Sequence, residues 1–329
     1  MRRTKKMRAS DGGGIRGILP AMMLAELARR AQQPVGALFD LLAGTSTGGI
    51  LALGLTVPGE PGKPKDRAAD LVGLYAQEGR TLCARSVWHR VRSVGGVAEE
   101  KSPSAGIEAT LARYCGEARM ADALADVLVT SDAIARRRPD LFKSFRAKTA
   151  PARHLFMRQA GRATSAAPTD VAPGLIALSD VDRLVLVDGG VCANNPALCA
   201  WAEARTISPD AADILVLSLG TGHLTRPSPY EAATGWGLAG WVRPVLDVMF
   251  DGVSDAVDYQ LRQLLPGRTP RRYSRLHTAL VVGNDDMDDA SNTNLRALKG
   301  LAEERMQDHT LLLDALVEQR TGGTPAAVH

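Results

Sequence analysis

Leu38-Phe39-Asp40-Leu41-Leu42-Ala43, followed at once by Gly44-Thr45-Ser46-Thr47-Gly48 and then by Ile50-Leu51-Ala52-Leu53, is the stretch on which the reading of the fold turns. The first segment is a short, mainly apolar run. It is too short for a buried helix and reads as a strand covered on both faces. The glycine-flanked serine then reads as a sharp turn, and the apolar residues behind it as a helix. Such a turn forces the serine into a strained backbone conformation and projects its hydroxyl from the sheet. The helix N-terminus that follows favours negative charge nearby. Ser46 is therefore the candidate nucleophile, and Gly44 and Gly48 give the elbow its room.

Outward from the elbow the same alternation continues. Further strand-like runs are Val127-Leu128-Val129-Thr130, Leu184-Val185-Leu186-Val187 and Ile214-Leu215-Val216-Leu217-Ser218-Leu219. Helical spacing appears near 18–31, near 244–265, and through Leu295, Leu298, Leu301, Leu312 and Leu316. This predicts an α/β fold with a central, mainly parallel sheet. Three of the four runs lead into polar, glycine-rich loops: Gly44-Thr45-Ser46, Asp188-Gly189-Gly190 and Gly220-Thr221-Gly222. Open α/β sheets carry their sites beyond the carboxyl ends of strands, so these loops are expected to converge.

A serine hydroxyl needs a proton acceptor. Asp188 ends an apolar run and is followed by two glycines, which places it at the expected edge; partial burial would raise its pKa and make it a better base. None of the six histidines, His89, His154, His223, His277, His309 and His329, sits in an acid–base motif. A histidine-containing triad through His223 or His277 remains the alternative within hydrolases, and a catalytically silent signalling module the alternative outside them. Near the start, Asp11-Gly12-Gly13-Gly14-Ile15-Arg16-Gly17 offers free amides for an oxyanion, with Arg16 adding a donor or bracing the loop. Gly12, Gly14 and Gly17 also fit a dinucleotide fingerprint. That reading is weaker because residues 1–10 read as basic and polar where an apolar strand is expected, and because it leaves Ser46 unexplained. No Gly-Lys-Ser/Thr closes a P-loop.

Composition narrows the classes further. The chain has 329 residues, 45% of them apolar, and a formal charge of 40 − 36 = +4, too mild to imply a nucleic-acid polymer as partner. Basic residues cluster at Met1–Arg8 and at Arg136-Arg137-Arg138, either as solvated surface or as a lure for anionic head groups. Cys83, Cys115, Cys192 and Cys199 lie far apart, as thiols of a reducing compartment do. No apolar run is long enough to span a bilayer and no secretory h-region follows the basic start, so a cytoplasmic protein visiting membranes is expected. The run Asp285-Asp286-Met287-Asp288-Asp289 lacks the spaced ligands and final Glu of a calcium loop. No metal or cofactor is expected.

Together, Gly12–Gly14 with Arg16, the Ser46 elbow and Asp188-Gly189-Gly190 resemble the patatin-like phospholipases, in the same order. Arg162-Ala163-Thr164-Ser165-Ala166-Ala167-Pro168, Val191-Cys192-Ala193-Asn194-Asn195-Pro196 and Leu217–Gly222 are similar to that family's bacterial branch. The resemblance runs from about residue 11 to about 300. It implies a three-layer α/β/α sandwich and a Ser46–Asp188 dyad, with Gly12, Gly13, Gly14 and Arg16 as oxyanion hole. It further implies metal-independent hydrolysis of phospholipid or other fatty-acyl esters through an acyl-enzyme, with transient membrane-surface contact. Some bacterial relatives are switched on by cyclic nucleotides, so a cyclic-nucleotide activator is among the implied partners. Lys6–Ser10 departs from the family's hydrophobic first strand, and Thr169-Asp170-Val171 from its aromatic residues. The expected division is a basic segment 1–10, one catalytic domain 11–316 with lid or insert segments near 58–110 and 226–243, and a tail 317–329. Trp236, Leu238 and Trp241 are candidates for a membrane-touching lid.

Overall fold

Alternation along the strands, read in three dimensions, builds two cores on one sheet. The structure, a computed structural model, describes residues 4–83, 103–150, 154–168, 170–223, 230–267, 272–282 and 286–321. Among these, eight strands form one sheet: β1 (Lys5–Ser10), β2 (Leu41–Gly44), β3 (Asp126–Ala133), β4 (Arg138–Lys143), β5 (Gly174–Ala177), β6 (Arg183–Asp188), β7 (Ile214–Leu219) and β8 (Tyr273–Leu276). Their order is β5-β6-β3-β2-β1-β7-β8, with β4 on β3. The block β3-β2-β1-β7-β8 is parallel, whereas β4, β5 and β6 pair antiparallel. Met7, Ala9, Leu41, Ala43, Leu128, Ile214 and Val216 point to one face, where Ala197, Ala200 and Ala204 of helix Ala197–Ile207 cover them. Leu42, Val127, Val129, Leu217 and Leu219 point to the other, under helices Ile18–Ala31, Thr47–Gly54 and Ala68–Leu82. Successive side chains on a strand face opposite ways, so each strand feeds both layers of the sandwich.

The division at residue 11 is corrected by β1. Lys5–Ser10 is a central strand between β2 and β7, not a lead-in. It was disguised because only every second residue is apolar: Met7 and Ala9 face one core, while Arg8 and Ser10 lie buried on the other side. Lys5 Nζ lies 3.3 Å from Asp40 Oδ1, and the Lys6 amide donates to Asp40 Oδ2 at 2.8 Å. Lys5 is therefore paired and Arg8 buried, and neither is presented to head groups as a free surface cation. Residues 1–3 lie outside the described residues, and Arg136 of the second basic cluster pairs with Asp182 at 2.6 Å.

Other boundaries shift as well. Val35–Leu38 is a helical turn, so β2 starts only at Leu41. The helix expected near 244–265 begins at Leu238. Pro244 lies inside this helix, where it leaves one backbone carbonyl of the preceding turn without its usual donor. Within 58–110, helices Ala68–Leu82 and Pro103–Cys115 send Leu71, Leu74, Tyr75, Ile107 and Leu111 into the main core; residues 84–102 lie outside the described residues. Helix Thr310–Thr321 carries ordered structure past 317, and residues 322–329 lie outside the described set.

Arg8 is fully buried, and among the described residues none of its three guanidinium nitrogens has a hydrogen-bond partner. Desolvation pushes its pKa down to about 9, with Tyr75 opposing. A buried cation without a partner costs several kcal/mol, and replacing such a group with an apolar residue of similar volume is neutral or stabilising by about 1–4 kcal/mol. Arg8→Leu is expected to raise the urea midpoint with an unchanged denaturant slope; a midpoint lowered by the substitution would mean that the guanidinium is satisfied in solution.

Candidate functional site

Two strands end head-on along one edge of β3. Its far edge is taken by β4 from Leu128 to Ala133. On its near edge β2 runs parallel and stops at Gly44 beside Val129, while β6 arrives antiparallel and stops at Asp188 beside Ser131. Thr130 lies between the two ends. Its hydroxyl shares a 2.7 Å hydrogen bond with that of Thr45, which donates onward to the Ala193 carbonyl at 2.5 Å. Gly189 packs on Thr130 so closely that a Cβ there would overlap its hydroxyl and carbonyl. The loops carrying Ser46 and Asp188 are thus joined through one residue of β3. The meeting of the two loops was expected from strand ends; the antiparallel approach of β6 was not, because an apolar run carries no direction.

Ser46 has φ 52° and ψ −121°, a strained region for a residue with a Cβ, and helix Thr47–Gly54 starts directly after it. A Cβ on Gly44 would strike the Gly48 carbonyl, and one on Gly48 would strike Ser10, which is why the elbow carries glycine at both places. The Ser46 amide donates to Thr164 Oγ1 at 2.8 Å. The Asp188 carboxylate is buried. It faces the Ser46 hydroxyl as a side-chain hydrogen-bonding neighbour and accepts from the Gly190 amide at 2.7 Å. Desolvation raises its pKa to about 6; the bonds from Ser46 and Gly190 oppose the shift.

Ser46, Asp188 and Gly12–Gly14 line one cavity of about 860 Å³, its open mouth included. Its apolar wall comes from Ile50, Leu82, Val171, Leu246, Phe250 and Met287. Of the unusual stretch 169–171, Asp170 and Val171 line this wall and Thr169 lies outside the described residues. Gly12 fits between Ser46 and Asn194, where a Cβ would lie 3.3 Å from Ser46 Cβ and 2.5 Å from Asn194 Oδ1.

The glycine loop differs from the expected set of donors in two places. The Gly12 amide is spent on the Asn194 carbonyl at 3.1 Å. Arg16 lines a different cavity and lies behind the loop, its Nε donating to the Gly13 carbonyl at 3.3 Å and its Nη1 to the Gly222 carbonyl at 3.5 Å. Neither the Gly13 nor the Gly14 amide is given to a backbone carbonyl among the described residues. These two are the amides the loop leaves available.

His223 and His277 line the cavity behind the loop, with ring centroids 5.1 Å apart. Burial pushes the His277 pKa down to about 3. Among the described residues no histidine lines the cavity that holds Ser46. No group of three or more His, Cys, Asp or Glu suited to a metal occurs among them either. Asp289 and Ser291 of the acidic region build a helix start: Asp289 Oδ1 accepts from the Ser291 amide, and Ser291 caps helix Asn292–Asp308 through Asn294. Asp285 lies outside the described residues.

Sequence reasoning missed a buried polar network behind the loop. Asp11 pairs with Arg275 at 2.6 Å, both almost fully buried, and Arg275 Nη1 donates to Ser218 at 2.7 Å. Ser254 donates to Asp11, and the Asn194 amide donates to Ser254 at 3.2 Å. Burial raises the Asp11 pKa, with the Asp258 charge adding to the rise, and Arg275 and Ser254 oppose it. Asp11, Asn194 and Ser218 lay in stretches with a sequence signal; Ser254 and Arg275 are single polar residues in otherwise ordinary elements.

The chain is similar to proteins already known. The family described as Patatin-like phospholipase matches residues 9–201. "Patatin-like protein 1" of Oryza sativa subsp. indica is 29% identical over 91% of this chain and 80% of its own. "Patatin-like protein 3" of Arabidopsis thaliana is 30% identical over 89% and 78%. "Probable inactive patatin-3-Kuras 1" of Solanum tuberosum is 30% identical over 90% and 85%. Among solved structures, VipD from Legionella pneumophila aligns over 96% of this chain and 67% of its own, at 11% identity and a TM-score of 0.41.

The raised pKa of Asp188 has a consequence for stability that needs no substrate. The folded state holds this proton more tightly than the unfolded chain, so its contribution is present below about pH 4 and lost as pH rises through about 6. Asp188→Asn is expected to stabilise the protein at pH 8, on the order of 1–3 kcal/mol, with the gain vanishing toward pH 4. Thermal unfolding across that range is the measurement; a gain independent of pH would mean that the carboxylate is solvated.

Proposed function

We propose that this chain, which belongs to the patatin-like phospholipase family, is a lipid acyl hydrolase that works through a Ser46–Asp188 dyad. Family membership supports lipid acyl hydrolysis and a carboxylic ester hydrolase. A potato relative is named as probably inactive, so turnover in this chain rests on its own residues. The observation that carries the reading is the strained Ser46 hydroxyl facing a buried, pKa-raised Asp188 in an apolar-walled cavity.

Asp188 takes the Ser46 proton as Oγ bonds to the ester carbonyl carbon, and the carbonyl π pair moves to oxygen. The Gly13 and Gly14 amides receive that oxyanion. As the carbonyl re-forms, the bond to the leaving alcohol breaks and Asp188 returns the proton to it. Water, deprotonated by Asp188, then attacks the acyl-enzyme; the fatty acid leaves and the proton returns to Ser46. A carboxylate with a pKa near 6 is a far better base than one near 4. The histidine triad has less support, since His223 and His277 lie behind the loop.

Ser46→Ala and Asp188→Asn are expected to lower acyl release from phospholipid and from a p-nitrophenyl ester by about 10³-fold or more, while His223→Ala and His277→Ala stay near wild type. The wild-type kcat/KM should fall as pH drops below about 6, because the base must be unprotonated. Unchanged rates in the first two variants would remove the mechanism. Parallel assays with cyclic nucleotides added test for that activator, and the resemblance of 162–168, 191–196 and 217–222 remains the support for a bacterial branch.

The same reading includes transient membrane contact. No helix among the described residues is long and apolar enough to cross a membrane. Helix Leu238–Leu264 turns Leu246 and Phe250 into the cavity, while Trp241, Val245, Val248 and Met249, at helical spacing, lie exposed on its outer side. Trp236 packs edge-on against Trp241 with centroids 5.0 Å apart. This stripe borders the wall that would take an acyl chain. Trp241→Ser with Val248→Ser is expected to lower hydrolysis of phospholipid vesicles about tenfold and leave a soluble short-chain ester unaffected; equal loss on both substrates would place these residues in the fold rather than at a lipid surface.

A further inference from the structure

The loop Gly220-Thr221-Gly222, at the end of β7, has no part in the chemistry above. Thr221 is nearly fully buried, and its hydroxyl donates to the Gly12 carbonyl at 2.6 Å. It lines the cavity behind the glycine loop, whereas Gly12, Gly13 and Gly14 line the cavity of Ser46. Gly12 C=O and Gly13 N–H belong to one peptide plane. In a trans peptide these two groups point in opposite directions. A hydroxyl that draws the carbonyl rearward therefore turns the Gly13 amide forward.

We propose that Thr221 is a positioning residue that aims the Gly13 amide at the oxyanion. Three observations agree with this assignment. Gly13 lies directly against the Thr221 side chain, and a Cβ on Gly13 would overlap it. The following peptide is held by the same device, since the Gly13 carbonyl accepts from the Arg16 amide at 3.1 Å and from Arg16 Nε at 3.3 Å, which turns the Gly14 amide forward. The Gly12 amide, whose own peptide carbonyl belongs to Asp11, is instead spent on Asn194. Thr221 itself touches neither the nucleophile nor the substrate cavity, so it acts only through the loop.

The inference rests on the hydrolase reading and deepens it. Thr221→Val keeps the volume and removes the donor; Thr221→Ser keeps the donor and removes a methyl group. With a soluble p-nitrophenyl ester, Thr221→Val is expected to lose about 10- to 100-fold in kcat with KM within twofold of wild type. That is part of the ~10²–10³-fold cost of losing an oxyanion donor outright. Labelling of Ser46 by a fluorophosphonate, whose phosphoryl oxygen needs the same amides, should slow in parallel. Thr221→Ser should restore both to within about threefold. Thermal unfolding identifies a variant that fails to fold, and Thr221→Ala is then read in place of the valine. A folded variant lacking the hydroxyl with wild-type kcat, a loss carried in KM, or no rescue by serine would overturn the assignment. A wild type that neither releases acyl groups nor labels at Ser46 overturns the hydrolase reading and this assignment together; a wild type that turns over beside an equally active Thr221→Val overturns the assignment alone.

Discussion

The abutment of β2 and β6 on a single edge of β3 is the constraint from which the rest of the site follows. In an open parallel sheet, neighbouring strand ends lie side by side, and residues on their loops meet only if the loops reach across. Here two chains run toward each other along one ladder and stop one residue short of contact, with Thr130 in the gap. The serine and the carboxylate are brought within reach by backbone hydrogen bonds of the sheet rather than by long side chains. Aspartate has little side-chain freedom to lose, and its position is set by pairing with Ser131, by its amide donating to the Ala166 carbonyl at 2.9 Å and by the Gly190 amide on its carboxylate. Glycine at 189 follows from the same constraint, because the strand end can approach Thr130 only without a Cβ.

Bringing the carboxylate inside the sheet junction also sets its chemistry. The carboxylate is buried at this junction, so desolvation dominates and it holds a proton more tightly than a free aspartate. Placing a charge there and forcing a serine to positive φ both cost stability. Two apolar layers, one on each face of the sheet, offset those costs. Strain and desolvation are concentrated in a few residues at the sheet edge, while the buried layers beneath are ordinary.

How much of this was legible in the sequence depends on how local each signal is. The elbow at 44–48 could be read because strand, turn and helix are contiguous, and Asp188 because it closes an apolar run. β1 was misread because a strand whose alternate residues are Lys6, Arg8 and Ser10 has no apolar run; its burial comes from β2 and β7, which are distant in sequence. The direction of β6 and the pairing of Asp11 with Arg275 are likewise properties of topology. The Gly12 amide looked free because nothing near residue 12 announces Asn194 as its acceptor.

The glycine loop brings these levels together. Three glycines make the loop able to turn its amides toward a cavity, but nothing in their composition says which way each peptide faces. That is decided from behind. Thr221 and Arg16 hold carbonyls, Asn194 takes one amide, and Asp11 anchors the base of the loop to Arg275 on β8. An uncompensated Asp11 carboxylate would place negative charge beneath the amides proposed to receive an oxyanion, and the Arg275 guanidinium beside it offsets that field. The two sides of the loop therefore differ in kind: an apolar-walled cavity in front, where charge develops only during reaction, and a paired, hydrogen-bonded interior behind. On the proposed reading, a chain could keep every glycine of the loop and still lose the oxyanion site by changing one of the residues that hold it from the rear, so the family motif and a working site are separate properties of the molecule.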